Sequence, residues 1–355
     1  MAKFHLLTVS DIRRETADAV SIAFAVPNQL LADYQFKHGQ YITLKLNVGG
    51  EELRRSYSVC TSPFIENELR VAVKEVKGGR ASTYLNRELK KGDSLEVMTP
   101  MGNFTTPLSG NSEKNYLLFA GGSGITPIMS ILKSILHVEK QSRVTLFYAN
   151  RDEASEIFSR DLDVLRSNSR FQLIRIYDSP AKKSDELHTG IVTEDKVKFL
   201  LNFYSGNSII SDVFICGPGP MMENVKNALL QVSIPQEKIH IEYFSTVQET
   251  LAQEEASTAK EISSKITVIQ YGIETSFQLN SNGATILDAA LDAGVDAPYS
   301  CKGAVCCTCR AKVLEGKVKM DANFALTDGE IAQGFVLTCQ SHPLTEKVIV
   351  DYDAM

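Results

Sequence analysis

The strongest constraint on this chain is a cysteine run near its C-terminus, SCKGAVCCTCR, at residues 300–310. Cys301, Cys306 and Cys309 give C-x4-C-x2-C, and Cys339 follows after 29 further residues. The other thiols are Cys307 inside the run and the isolated Cys60 and Cys216, for an odd total of seven. In a reducing compartment, clustered cysteines point to metal or redox chemistry rather than to disulfides. A two-iron cluster needs four thiolates, and this spacing offers three from one wrapping loop and a fourth from elsewhere. Gly303 and Ala304 are small enough for the loop backbone to approach, so amides can donate to sulfur. A zinc site is the competing reading, but such sites usually pair two C-x2-C units and one is present. Cys307 breaks no ligand spacing and reads as a loop residue, with its substitution for Cys306 left open.

Around that run the chain shows three textures and no internal repeat. Residues 1–110 are short apolar or alternating runs (19–24, 40–46, 69–73) separated by Gly49-Gly50, Gly78-Gly79 and Lys91-Gly92-Asp93. Such spacing predicts a small antiparallel β-barrel. Residues 111–245 alternate strand and helix, with strands at 115–120, 144–149, 171–177, 213–216 and 239–244. Helices are expected around Ile128–Ile135 and at 154–167, 193–203 and 221–232, which predicts an α/β domain on a parallel sheet. Residues 246–263 are polar and acidic and read as a linker. From 264 to 355 the chain is strand-rich (265–271, 275–279, 337–339, 347–352) with a helix at 285–293, enough for an α+β domain of its own. The reading is therefore multidomain.

Composition excludes several classes. The net charge of −6 is uneven: 11 acidic and 7 basic residues lie from Lys265 onward, and four Glu with one Lys lie in 249–261. Residues 1–248 are left near +1. An acidic tail argues against nucleic acid and suits either solubility or docking on a basic protein partner. The first twenty residues lack a long apolar core, and no stretch approaches the ~18 apolar residues of a membrane span. A cytoplasmic protein with no membrane partner is the expectation.

Two further motifs carry cofactor chemistry. RSYSVCTSP at 55–63 resembles the R-x-Y-S-x-x-S/T flavin motif of the ferredoxin–NADP reductase superfamily. There Tyr57 supplies a flat face for the flavin ring, Ser58 a donor to its edge and Arg55 a cation for the pyrophosphate. GGRAST at 78–83 is similar to that family's glycine loop and helix start, which implies FAD contacts from Gly79, Ala81, Ser82 and Thr83. Val73 and Lys74 precede it on the strand that runs beside the flavin in the family.

GGSGITP at 121–127 is a strand-to-helix glycine loop, with Thr126 as a candidate N-cap and Pro127 at the first helical position. It is not G-x-G-x-x-G, because Pro127 stands where the last glycine would be; it matches the G-G-x-G-I-T-P form of ferredoxin reductases. Gly122, Gly124, Thr126 and Pro127 are therefore expected at the nicotinamide dinucleotide. CGPGPMM at 216–222 resembles the family's C-G-P-x-x-M signature and adds Cys216, Gly217, Pro218 and Met221. Glu242 and Phe244, at the end of the sheet, approach the flavin face in relatives. By that resemblance Ser58, Cys216 and Glu242 form the catalytic set. Arg151, ending the second strand, is the candidate 2′-phosphate ligand that favours NADPH over NADH, with Arg160 and Lys182-Lys183 as other cations and a plain surface charge as the bland alternative.

Residues 264–355 resemble a plant-type ferredoxin domain, including LTCQ at 337–340, which implies a β-grasp fold and a [2Fe–2S] cluster on Cys301, Cys306, Cys309 and Cys339. Nicotinamide delivers two electrons at once and a cluster accepts one, so FAD between them is chemically required. Di-iron bundles use two E-x-x-H pairs and this chain has a single one, Glu237–His240, so substrate chemistry is expected on another protein. The whole chain resembles reductases of multicomponent oxygenases. KEVKGGRASTYL, FYANRDEASEIF and SCKGAVCCTCRAKVLEGKVKM are similar to the phenylacetyl-CoA epoxidase reductase family, which implies NADPH as donor and a di-iron oxygenase as acceptor. Alternatives are a reductase serving another oxygenase or hydroxylase, with NADH as a possible donor, a flavin and iron–sulfur redox sensor, and a zinc-stabilised interaction domain.

Overall fold

A computed structural model describes residues 3–181, 185–205, 208–244 and 262–354. Most of the expected linker and the Lys182-Lys183 pair lie outside the described residues. The alternating runs of the N-terminal part form six antiparallel strands: β1 (Phe4–Thr16), β2 (Ala19–Ala25), β3 (Tyr41–Val48), β4 (Glu51–Ser58), β5 (Leu69–Lys74) and β6 (Ser94–Met98). Their order is β4-β3-β6-β1-β2-β5. The two edges meet where Val59, just past β4, bridges Val71 of β5, so the sheet closes as a barrel. Leu7, Ile22, Ile42, Leu44, Val71 and Val97 fill it. Helix α1 (Arg80–Arg87) follows β5 and adds Leu85 to that core.

The second domain is a parallel sheet of β7 (Asn115–Gly121), β8 (Arg143–Asn150), β9 (Phe171–Tyr177), β10 (Asp212–Cys216) and β11 (Ile239–Glu242), ordered β11-β10-β7-β8-β9. Both faces are covered, so its strands read as continuous apolar runs. Along β7, Tyr116, Leu118 and Ala120 enter the core shared with α2 (Ile125–Val138) and α3 (Ser159–Leu165). Leu117 and Phe119 enter the opposite core with α4 (Glu194–Tyr204) and α5 (Gly219–Gln231). The chain leaves β7 toward β8 on one side and reaches β10 on the other, which puts the switch point of the sheet between β7 and β10. Helix α2 also fastens the barrel: Ser130 Oγ donates to the Thr61 carbonyl at 2.6 Å, and Lys133 pairs with Glu66 at 2.6 Å.

The C-terminal domain is a mixed sheet of β12 (Ser263–Gln270), β13 (Ile273–Asn280), β14 (Arg310–Glu315), β16 (Phe335–Leu337) and β18 (Lys347–Asp351). Beside it lies a small ladder of β15 (Val318–Met320) and β17 (Ser341–Pro343). The sheet order is β13-β12-β18-β14-β16. Strands β12 and β18 pair parallel while the rest of the sheet is antiparallel. Helix α6 (Ile286–Asp292), with Thr285 as its N-cap, buries Ile286, Leu287 and Ala290 against it. A short α7 (Asp328–Ala332) starts on a capping box between Thr327 and Glu330.

Three local expectations are corrected. The helix expected over 154–167 begins only at Ser159, because Asp152 and Ser155 form a capping box on a separate turn and Phe158 takes a left-handed φ of 62°. That break lets Ile157 and Phe158 drop into the core. Thr126 is not an N-cap: α2 starts at Ile125 after a tight turn at Gly122–Gly124, and Thr126 Oγ1 donates back to the Ser123 carbonyl at 3.1 Å. Residues 337–339 are not a strand, since β16 ends at Leu337 and Thr338–Gln340 turn.

Candidate redox site

A cavity of about 360 Å³ lies at the junction of all three domains. The barrel lines it with Tyr41, Arg55, Ser56 and Ser58, the parallel sheet with Glu242, Tyr243 and Phe244, and the cysteine loop with Ser300, Cys301, Gly303, Val305 and Cys306. Residues 54, 56 and 58 share one face of β4, because side chains alternate along a strand. Ser58 Oγ donates to Glu242 Oε2 at 3.1 Å. Burial pushes the Glu242 carboxyl up to about 8, and the Ser58 hydrogen bond opposes this only in part. That shift favours the protonated form of Glu242 at the cavity wall. Cys216 stands opposite Glu242 in the parallel register of β10 and β11, and burial raises its thiol as well.

The glycine loop splits into locked and open positions. A Cβ on Gly124 would lie 2.1 Å from the Cys216 carbonyl oxygen, and one on Gly121 would lie 2.5 Å from Pro218 Cδ. These two glycines let GGSGITP pack onto CGPGPMM at the switch point. Gly122 instead has φ +52°, and a Cβ there would meet nothing within 4 Å, so its backbone faces open space. Thr126 and Pro127 are buried in the first turn of α2, and Met221 lies beside Gly121 and Gly217. Arg151 follows β8, is largely exposed, and pairs with Asp152 at 3.0 Å. Gly79, Ala81, Ser82 and Thr83 form the turn and start of α1. The Ser82 hydroxyl is engaged inside that turn, accepting from the Val76 N–H and donating to the Gly79 carbonyl. Tyr57, Val73 and Lys74 lie on the barrel strands but not on the wall of the central cavity.

The four cluster-spaced cysteines come together as two facing pairs. Cys306 Sγ is 3.1 Å from Cys301 Sγ, and the Cys309 and Cys339 thiols lie close enough to shift each other's titration. The Gly303 N–H donates to Cys301 Sγ at 3.3 Å, and the Ala304 amide faces Cys339. Lys302 and Ala304 hold left-handed φ values of 50° and 63°, which turn those amides inward. Among the described residues no three ligating side chains converge on one point. Two thiolate pairs under inward amides are the donor set two irons require. Cys307 points away: its Sγ donates to the Ala325 carbonyl at 3.2 Å, and burial pushes it up to about 12.

Several residues at this junction carried no signal in the sequence. Tyr41 is buried, accepts from the Cys307 N–H at 3.1 Å and hydrogen-bonds Thr308 Oγ1 at 3.2 Å. Ser56 and Ser300 join their hydroxyls at 2.8 Å. Arg54 lies 4.2 Å from the Tyr299 ring centroid and 3.7 Å from Asp296. The alternation of β4 places Arg54 on the face of Ser58, but what it meets comes from a loop more than two hundred residues away.

Comparison with known proteins agrees with this partition. Residues 6–106 match the oxidoreductase FAD-binding domain model, 118–227 the oxidoreductase NAD-binding domain model and 268–344 the 2Fe-2S iron-sulfur cluster binding domain model. The chain is 42% identical, over 100% of its length and 99% of the relative's, to a subunit of the 1,2-phenylacetyl-CoA epoxidase of Escherichia coli (strain K12). It belongs to the ferredoxin reductase family. Another relative is the ferredoxin reductase component of 3-ketosteroid-9-alpha-monooxygenase from Rhodococcus rhodochrous, 33% identical over 98% of this chain and 96% of that one. Phthalate dioxygenase reductase shares the fold, with a TM-score of 0.58, 23% identity and 98% coverage of both chains. This family member is an electron-transfer oxidoreductase with FAD-, NAD- and [2Fe–2S]-binding domains. No helix among the described residues is long and apolar enough to cross a membrane.

Proposed function

We propose that this reductase passes electrons from NADPH to a di-iron oxygenase of the phenylacetyl-CoA epoxidase kind, in the cytoplasm. The observation that carries the reading is the central cavity, whose wall comes at once from the flavin-motif strand, the end of the nicotinamide sheet and the cysteine loop. The full-length identity to the epoxidase component supports the choice of acceptor.

The domains are 1–110 for FAD, 111–245 for the nicotinamide dinucleotide and 264–355 for the cluster, with a linker at 246–263. When bound, FAD accepts a hydride as an electron pair and yields electrons singly, the form a [2Fe–2S] cluster takes. Arg55, Tyr57 and Ser58 hold the flavin, with Val73, Lys74 and the Gly79–Thr83 turn, where Ala81 is small enough for close approach and helix amides favour phosphate. Gly122, Thr126, Pro127, Gly217, Pro218 and Met221 shape the seat of the dinucleotide, and Gly124 fixes its floor. Cys216 and Phe244 border the reacting face, with Ser58 and Glu242 managing a proton there. Arg151 selects the 2′-phosphate. Cys301, Cys306, Cys309 and Cys339 hold the cluster.

The test is steady-state turnover with NADH and with NADPH, each with and without a di-iron oxygenase that epoxidises phenylacetyl-CoA. The proposal expects NADPH-driven epoxide formation that depends on both proteins. Equal coupling to an unrelated monooxygenase, with none to the epoxidase, overturns the acceptor. A preference for NADH overturns the role of Arg151.

A further inference from the structure

We infer that Arg54 and Tyr299 form an interdomain latch that seats the cysteine loop on the flavin cavity, making both positioning residues for electron passage between the two centres. The inference rests on the reductase reading above and adds to it the device that sets the docking.

Arg54 is a guanidinium on a strand of the first domain, with its side chain only 7% exposed. A buried cation needs compensation. Within the barrel it has Glu52 at 2.8 Å and the Phe4 ring at 5.3 Å. Its other partners belong to the C-terminal domain: the Tyr299 ring at 4.2 Å and Asp296 at 3.7 Å. Both are within five residues of Cys301. Arginine over an aromatic face, shielded from water, is among the stronger forms of this contact. A second attachment lies on the other flank of the loop, where the Tyr41 hydroxyl holds the Cys307 N–H and Thr308 Oγ1. The cysteine loop is thus pinned before its first ligand and between its second and third. The barrel strands that pin it also line the cavity through Tyr41, Ser56 and Ser58. Arg54 itself is not on the cavity wall, so its removal leaves the flavin seat intact.

The test uses the full-length holoprotein carrying Arg54→Ala or Tyr299→Leu, one change from each side of the contact. Ferricyanide reduction by NADPH, taken at the flavin, is expected to stay near wild type. Bleaching of the cluster band after mixing with NADPH, and cytochrome c reduction, are expected to slow by ~10-fold or more, the factor that ~1.4 kcal/mol of lost docking produces. Small-angle X-ray scattering, which does not depend on turnover, is expected to show a larger radius of gyration for both variants. Arg54→Lys, which keeps the charge but loses the planar stack, is expected to rescue only partly. Unchanged scattering and an unchanged cytochrome c to ferricyanide ratio in both variants would overturn the latch. Loss of ferricyanide activity in Tyr299→Leu would also overturn it, because that residue would then serve the flavin seat. Should wild type itself fail to move electrons from NADPH to ferricyanide, the reductase reading fails instead.

Discussion

The hydroxyl of Ser58, on the last residue of a barrel strand, donates to the carboxyl of Glu242, on the last residue of a strand in the parallel sheet, at 3.1 Å. That one contact joins the RSYS strand of the barrel to the carboxyl end of the parallel sheet. Among the described residues Glu242 has the Ser58 hydroxyl as its hydrogen-bond partner, and burial holds its proton up to about 8.

The sign of the resulting pH dependence follows from linkage. A carboxyl whose folded value is raised binds its proton more tightly folded than unfolded, where it titrates near ~4.3. Stability is therefore lost as pH rises from the ordinary carboxylate range through about 8. Glu242→Gln should remove this slope. Melting temperatures across that range should fall more steeply for wild type than for the variant, and parallel curves would refute the assignment.

The cysteines divide by direction. Cys339→Ser should abolish or strongly perturb the visible absorbance of the cluster. Cys307→Ser should leave it nearly intact, because its side chain points to the Ala325 carbonyl and serine can make the same bond. A stability loss of about 1 kcal/mol is the expected size for that small change in a buried site. Iron content and the absorption spectrum decide between them.

Neighbouring glycines should behave differently. Gly124→Ala places a methyl against the Cys216 carbonyl, a backbone atom that cannot swing away. Overpacking of this kind costs about 1–3 kcal/mol, and both the melting temperature and the affinity for NADPH should drop. Gly122→Ala meets no neighbour and is opposed only by its left-handed backbone, a cost of about 1 kcal/mol. Thermal melts and a dinucleotide titration check the order.

Arg151→Ala tests coenzyme choice. The guanidinium is exposed, and its surface pair with Asp152 is worth little, so it is free to turn to a phosphate. KM for NADPH should rise about tenfold or more. KM for NADH should barely move.

Local chemistry made much of this molecule readable in advance. The parallel strands announced themselves as continuous apolar runs, and the cysteine spacing anticipated that the Cys301 and Cys306 thiols meet in one loop. Failures arose where tertiary packing overrode periodicity. The helix expected from residue 154 is broken because Ile157 and Phe158 are drawn into the core. Thr126 looked like a cap, but the preceding glycines already begin the turn. The junction was unreadable for another reason: Tyr41 and Arg54 look like ordinary strand residues until a distant loop supplies Thr308 and Tyr299. Contacts between domains leave no local period.

The bond from the Tyr41 hydroxyl to the loop backbone has a bearing on how such chains can be recombined. Tyr41 is the first residue of a barrel strand and also a wall of the cavity. A C-terminal module taken from another reductase would bring its own cluster, yet it would dock here only with an aromatic at 299 and a hydroxyl at 308. Domain shuffling in this architecture is thus limited less by the cofactor each unit carries than by a handful of side chains at the seam.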